Sequence, residues 1–159
     1  MVAAMRKTAV VFTDTFFQQP DAKTAHGLVR GPSRFEVVAL LDGKGAGRDA
    51  GELLDGKPRG IPTFAAPAAM QRGLGKRPDC FVIGVGTPGG VLPKTMRPTI
   101  LAAIELGMDV VCGLHEFLAD DAEIAAAAAR KGVQLVDVRR PRPRRELHFW
   151  TGAIRQVKA

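Results

Sequence analysis

Apolar residues in this chain fall in short unbroken runs, and between the runs they recur every three or four positions, the alternation expected of strands and helices in turn. Lys7-Thr-Ala-Val-Val-Phe-Thr13 and Phe35-Glu-Val-Val-Ala-Leu-Leu-Asp42 are the first two runs. Phe81-Val-Ile-Gly-Val-Gly86, Asp109-Val-Val-Cys-Gly113 and Val133-Gln-Leu-Val-Asp-Val138 repeat the pattern further on. Such near-continuous apolar character marks strands covered on both faces, as in a parallel sheet. Residues 61–64 predict one more short strand, placed at an edge because Pro62 cannot donate to a ladder. Helices are expected over Asp21 to Arg30, over Ala65 to Leu74, from between Lys94 and Pro98 to Gly107, and from Asp120 to Lys131. Prolines near their starts and glycines after their ends punctuate them, and Asp120 with Glu123 three positions later predicts a capping box. A short helical turn at Asp49 to Leu54 interrupts the glycine-rich segment 43–59.

This order predicts an α/β fold, a three-layer Rossmann-like parallel sheet with right-handed crossovers and strand order 3-2-1-4-5-6. Residues 1–138 form that domain, and residues 139–159 read as a basic, proline-rich connector or tail. The βαβ unit from Asp79 to His115 falls at the centre of the sheet. Ligands in such sheets bind beyond the carboxyl ends of the strands where the order reverses. The loops expected there are Thr13 to Thr15, Gly86 to Gly90, Gly113 to Glu116, and the end of the second strand at Asp42.

Composition narrows the class without changing the fold. The chain has 159 residues, 46% hydrophobic and 25% charged, enough for one globular core. No apolar run approaches the roughly 20 residues of a membrane span. The first residues carry no secretory signal pattern, so a cytoplasmic location is expected. Cys80 and Cys112 fall about four residues out of register on neighbouring strands, roughly 13 Å apart, which predicts two reduced core thiols. The net charge is +7, and five of the positive charges are arginines within Arg139-Arg-Pro-Arg-Pro-Arg-Arg145, so the rest of the chain carries only +2. A basic run confined to the end of the fold predicts a solvated or partner-facing linker, with anion or phosphate contact as the alternative, and nucleic acid is disfavoured as a partner.

Candidate chemistry gathers at the switch point. Gly86-Thr-Pro-Gly-Gly90 is the strongest candidate for an anion site, because glycines let backbone N–H groups approach a ligand and a following helix presents its positive end. Gly86, Thr87, Pro88, Gly89 and Gly90 would form it, with Lys94 or Arg97 completing it; a sharp crossover turn is the alternative role for these glycines. His115 and Glu116 are the one histidine–acid pair beside the crevice, suited to a general base or to holding a substrate carboxylate, with a capping or structural role equally open for His115. Asp14 and Asp42 end the first two strands, and Asp42 stands where a ribose-binding acid often sits. Lys23 and Thr24 form the Lys-Thr pair of a phosphate loop but lack its preceding glycines. The first turn, Asp14-Thr-Phe-Phe-Gln-Gln-Pro20, has no glycine, so NAD is disfavoured as cofactor and an NAD-dependent oxidoreductase is the weakest reading. No spaced Cys/His cluster suggests a metal.

Phe35 to Asp42, Arg59-Gly-Ile-Pro62, Ile83-Gly-Val-Gly-Thr-Pro-Gly-Gly90, Gly113-Leu-His-Glu-Phe-Leu118, Asp137-Val-Arg-Arg-Pro141 and Leu147-His-Phe-Trp-Thr-Gly152 together resemble the N-terminal Rossmann-like domain of a bacterial and archaeal family long described as of unknown function, some members of which are D-glutamate N-acetyltransferases. The resemblance implies a small acidic amino acid as ligand, acetyl-CoA or a nucleotide as cofactor, and a second, P-loop domain. The sequence reaches Ile154-Arg-Gln-Val-Lys-Ala159 about where that domain would begin, so the resemblance implies its supply in cis or in trans. It also implies a homo-oligomer in the full-length context, and an N-acetyltransferase activity that this chain would not complete alone. Phe149 and Trp150 would dock on the body or on the second domain. The alternative is a non-catalytic regulatory or assembly domain that recognises a nucleotide.

Overall fold

A computed structural model of the chain describes residues 6–141. Residues 142–159, which include Leu147 to Trp150 of the expected connector, lie outside the described residues.

Six strands form one parallel sheet in the order β3-β2-β1-β4-β5-β6. They are β1 (Lys7–Asp14), β2 (Phe35–Asp42), β3 (Thr63–Phe64), β4 (Cys80–Ile83), β5 (Asp109–Cys112) and β6 (Leu135–Asp137). Helices α1 (Lys23–Arg30), α2 (Ala50–Asp55), α3 (Pro67–Leu74), α4 (Arg97–Glu105) and α5 (Ala122–Lys131) connect them. The predicted fold class and strand order are therefore those of the molecule. Among the described residues no helix is long and apolar enough to cross a membrane.

The core follows from strand alternation. Val10 and Phe12 of β1, Phe81 and Ile83 of β4, and Val110 and Cys112 of β5 are buried in the main core with Ile100 and Ile104 of α4 and Ile124 of α5. Full burial of each such side chain stabilises by about 1.5–3 kcal/mol. Gly84, just past β4, lets α1 approach: a Cβ there would stand 2.6 Å from Val11 Cγ1 and 2.8 Å from Ala25 Cβ. Its carbonyl is bonded by the Ala25 N–H at 2.9 Å, which draws the chain out of the ladder and leaves β4 shorter than its apolar run. The edge strand β3 is shorter too, because Pro62 lacks a donor. The Thr63 N–H and carbonyl instead bond Arg48 O and Gly47 N of the preceding loop. Cys80 pairs in register with Asp109, so Cys112 stands three residues further along rather than four. Both thiols are buried and free.

One cap differs from the predicted one. The N-cap of α5 is Asp121, not Asp120, and its carboxylate accepts from the N–H groups of Glu123 and Ile124. The shift arises because Leu118–Asp120 forms a separate 3-10 turn, whose Leu118 and Ala119 N–H groups bond the carboxylate of Asp137 at 2.9 and 3.1 Å. Glu123 does not fold back as a capping box requires. It accepts from Arg97 at 2.6 Å, and Arg97 also grips Asp121, joining α4 to α5. Arg97 is therefore held away from the loop it was expected to complete.

The loops after β4, β5 and β6 interlock. The Gly90 carbonyl accepts from both His115 N and Glu116 N at 3.0 Å, and Glu116 Oε2 accepts from Leu92 N at 2.6 Å. Gly90 has φ +69°, and a Cβ there would fall 2.3–2.8 Å from three atoms of His115. From β6, Arg139 Nε donates to the Gly113 carbonyl at 2.7 Å. Arg140 stacks over Phe117 at 4.6 Å and pairs with Asp120 at 2.5 Å.

Replacing Gly90 with alanine should lower stability by about 1–3 kcal/mol through overpacking at a strained φ and should displace His115; Gly113→Ala, where a Cβ meets nothing within 4 Å, should be near neutral. Urea unfolding of the two variants checks this. Arg97 beside it, and then the Ile124 N–H, hold the Asp121 carboxyl down to about 2 from the ordinary 3.8. The stabilisation it contributes is therefore complete above about pH 4 and lost as pH falls toward 2. Asp121→Ala should cost about 1–2 kcal/mol near neutral pH, and Asp121→Asn, which keeps a capping oxygen, should cost less. Denaturant melts from pH 6 to pH 2 will show whether the Ala variant has lost most of the wild-type slope in that window.

Candidate functional site

The carboxyl ends of β4, β5 and β6 surround a cleft of about 590 Å³ lined by Thr87, Gly89, Gly90, Gly113, His115 and Arg139. The interlock just described sets its shape: each wall is a loop whose backbone is bonded to the next. It stands one strand away from the β1–β4 switch point, because the loops after β1 and β2 are bonded to one another instead.

Asp42 explains that displacement. Its carboxylate is buried and accepts from Thr13 Oγ1 and Phe17 N at 2.9 Å, from Lys44 N at 3.0 Å and from Gly45 N at 2.8 Å. All its acceptor positions are taken by the protein, so the geometry gives it the job of tying the first two loops together rather than that of a ribose acid. The turn after β1 is closed by its own bonds as well, from Phe16 N to Thr13 O and from Gln19 N to Phe16 O. Asp14, at the mouth of this turn, holds a left-handed φ of +58°. Burial, and then the charge of Asp42, raise its carboxyl above the usual carboxylate range. It does not line the cleft.

The Thr-Pro-Gly-Gly loop is partly engaged with the protein itself. Gly86 N donates to Asp21 O, Gly90 N to Thr87 O, and Thr87 Oγ1 to Val91 O at 2.6 Å. Pro88 has no donor. The N–H groups of Thr87 and Gly89 bond no acceptor among the described residues. Gly89 and Gly90 both have positive φ, +68° and +69°, which turns the loop tightly at the cleft wall. The helix expected to start between Lys94 and Pro98 does so: α4 begins at Arg97, after a 3-10 turn at Lys94–Met96 that separates it from the Thr-Pro-Gly-Gly loop, and neither Lys94 nor Arg97 lines the cleft.

Of the expected histidine–acid pair, His115 is exposed at the cleft and its ring bonds nothing among the described residues, whereas Glu116 is turned to Leu92 N. Thr24 lines a neighbouring hollow of about 420 Å³ that shares Gly86, Gly113 and Arg139 with the cleft, and Lys23 lies exposed at the start of α1. Sequence reasoning did not single out Arg139, which it took only as part of a basic run with anion contact as the lesser alternative. Arg139 lines the cleft with its Nε fixed on the Gly113 carbonyl, and its two terminal nitrogens bond no protein group among the described residues. The signal was present in Asp137-Val-Arg-Arg-Pro141, which reads as a linker until the chain is seen to continue from β6 against the β5 loop. The fork of an arginine fixed at Nε is suited to a carboxylate or phosphate.

Two other features carry less chemistry. A hollow of about 630 Å³ beside β3 is bordered by Arg48, Asp49, Thr63 and Phe64, but the Asp49 carboxylate already accepts from four backbone N–H groups, those of Gly51, Glu52, Arg59 and Ile61. Burial raises both thiols, Cys112 to about 11, so neither is a ready nucleophile at neutral pH. Among the described residues no three His, Cys, Asp or Glu side chains are placed to hold a metal ion.

The chain is also similar to known proteins. The chain is 41% identical over 61 residues to a D-glutamate N-acetyltransferase from a Pseudoalteromonas species and 40% identical over 61 residues to one from Tritonibacter scottomollicae. Each match covers 38% of this chain and 18% of the relative, so the shared part is a small fraction of those proteins. The crystal structure of a DUF1611 family protein from Anabaena variabilis superposes with a TM-score of 0.78 at 27% identity, covering 94% of this chain and 41% of that one. The model of a Rossmann-like domain of unknown function, DUF1611_N, matches residues 44–141. By fold, by motif and by this match, the chain belongs to the DUF1611_N family of Rossmann-like domains.

Proposed function

We propose that this chain is the ligand-binding module of a D-glutamate N-acetyltransferase-like protein, and that the cleft between the β4, β5 and β6 loops receives a small dicarboxylic amino acid. The observation that carries this reading is Arg139, which lines the cleft with Nε tied to Gly113 O at 2.7 Å while its terminal nitrogens bond no group among the described residues. That fork would take one carboxylate in two parallel bonds. The free N–H groups of Thr87 and Gly89 would take the other. His115 would then stand beside the amino group, where a neutral imidazole can accept the proton released as the amine attacks an acyl carbonyl.

The acyl donor and the machinery for it belong, on this reading, to a P-loop domain in cis or in trans, with residues after 138 leading toward it. The names of the relatives and the small share of their length that this chain matches support that division. The module would bind and orient the acid and hold one proton, while acetyl-CoA supplies the acetyl group: the new C–N bond replaces the thioester C–S bond and coenzyme A leaves as its thiol. A cytoplasmic setting is part of the proposal, supported by two buried cysteines that remain free. A second reading rests on the same arginine, because its fork fits a phosphate equally well: a nucleotide-recognising regulatory module.

Calorimetric titration of the chain with D-glutamate, acetyl-CoA and ATP separates the two. The account expects D-glutamate to bind, and Arg139→Gln to weaken it by about 10–100-fold, the worth of a charge-assisted bond or two. ATP binding that is lost in Arg139→Gln while D-glutamate gives no heat would favour the second reading. D-glutamate affinity unchanged in Arg139→Gln would overturn the assignment of the cleft.

A further inference from the structure

Strand alternation leaves an apolar floor on the face of the sheet that carries α1. The main core takes Phe81, Ile83 and Val110, while the alternate residues Cys80, Val82 and Val111, with Ala9 of β1, form a separate small cluster against which Leu28 and Phe35 pack. A hollow of about 420 Å³ stands on that floor. Thr24 and Leu28, one turn apart on α1, line one side of it, Val138 lines another, and the buried pair Val82 and Val111 lies in register at its base. Its volume is that of a small-molecule site, about 300–1,000 Å³. Arg34 and Arg139 are the charged residues of the lining, and no carboxylate joins them. Arg34 is laid over the Phe35 ring at 4.9 Å, whereas Arg139 stands where the hollow meets the cleft.

The hollow and the cleft also share Gly86 and Gly113. Neither glycine has a positive φ, a Cβ at Gly113 would meet nothing within 4 Å, and one at Gly86 would meet the Asp21 carbonyl at 3.7 Å, an ordinary contact. Backbone conformation and packing among the described residues therefore do not account for the two missing side chains. Their absence opens the rim between the hollow and the cleft. From Gly86 back to Val82 is four residues, up to about 13 Å at the strand rise. A ligand anchored at Arg139 thus has an apolar track behind it. Thr24 is the one neutral polar side chain of the lining, which favours methylenes over a sugar or a nucleobase, whose polar groups would be buried there without partners.

We infer that the hollow and the cleft form one channel for an acyl chain that carries a carboxylate, with the carboxylate at Arg139 and the chain passing Gly86 and Gly113 to lie over Val82 and Val111. A free medium-chain acid and an N-acylated amino acid share that chemistry. The inference rests on the reading of Arg139 as an anion anchor, but not on D-glutamate as the ligand.

Calorimetric titration of the chain with decanoate, acetate, 1-decanol, N-decanoyl-D-glutamate and D-glutamate tests it. Decanoate should bind at least about 100-fold more tightly than acetate, the worth of three or four buried methylenes, and at least about 10-fold more tightly than 1-decanol, the worth of a charge-assisted bond. N-decanoyl-D-glutamate binding more tightly than decanoate would make the acylated amino acid the source of the chain, and the reverse order would make it the free acid. Thr24→Phe narrows the hollow and Val138→Asp sets a carboxylate beside it; both positions are exposed and neither lines the cleft. With far-UV circular dichroism unchanged, each should weaken decanoate by at least about 10-fold. Decanoate no tighter than acetate or 1-decanol, or an affinity indifferent to both variants, would overturn the inference even where D-glutamate binds. Decanoate binding that is lost in both variants while D-glutamate gives no heat would uphold it and refute the D-glutamate reading alone.

Discussion

One carbonyl organises the functional end of this molecule. Gly90 O receives the N–H groups of both His115 and Glu116, and the missing side chain at Gly90 is what lets the β5 loop come near enough to donate them. A β-carbon would overlap His115, and a positive φ at that position would strain any other residue. From this contact the cleft acquires both its walls and the position of its imidazole. The β6 end then closes onto the β5 loop through Arg139 and Arg140, so that three successive strand ends behave as one block.

The distribution of charge follows from how the acids are used. Asp42, Asp49, Glu116, Asp121 and Asp137 each accept backbone N–H groups, tying loops or capping short helices. A carboxylate held by such bonds keeps its charge but offers little of it to a ligand. Arg97 and Arg140 are likewise matched with acids. What is left lining the cleft is Arg139 and His115, with Thr87 and Gly89 beside them. With the acids near the cleft bonded elsewhere, its lining carries the cation Arg139 and no free carboxylate, the arrangement on which the proposed anion site rests.

Much of the architecture was legible because it depends on periodicity. The strands and helices announced themselves through apolar runs and glycine stops, and their alternation dictates the parallel order with its reversal between β1 and β4. The site was less legible because hydrogen-bond partners across the sheet have no sequence signature. Nothing near Asp42 says that Thr13 and Phe17 will occupy its oxygens, and nothing near Arg97 says that α5 will bring Asp121 to it. The cap of α5 slipped by one residue for the same reason: Asp137, far along the chain, captures the 118–120 turn. Arg139 was hidden inside an arginine–proline run whose composition describes a linker, although its first two members pack against the fold.

The relatives are much longer than the matched part of the present chain. The contribution proposed for this chain is an anion cleft, and the most direct measurement of that proposal is a ¹H–¹⁵N correlation spectrum of the chain titrated with D-glutamate. The account predicts that shifts concentrate at the amides of Thr87, Gly89, Gly90 and His115 and at the Arg139 guanidinium, while the segment 46–65 beside β3 stays still. Shifts confined to that segment, or none at saturating ligand, would contradict it.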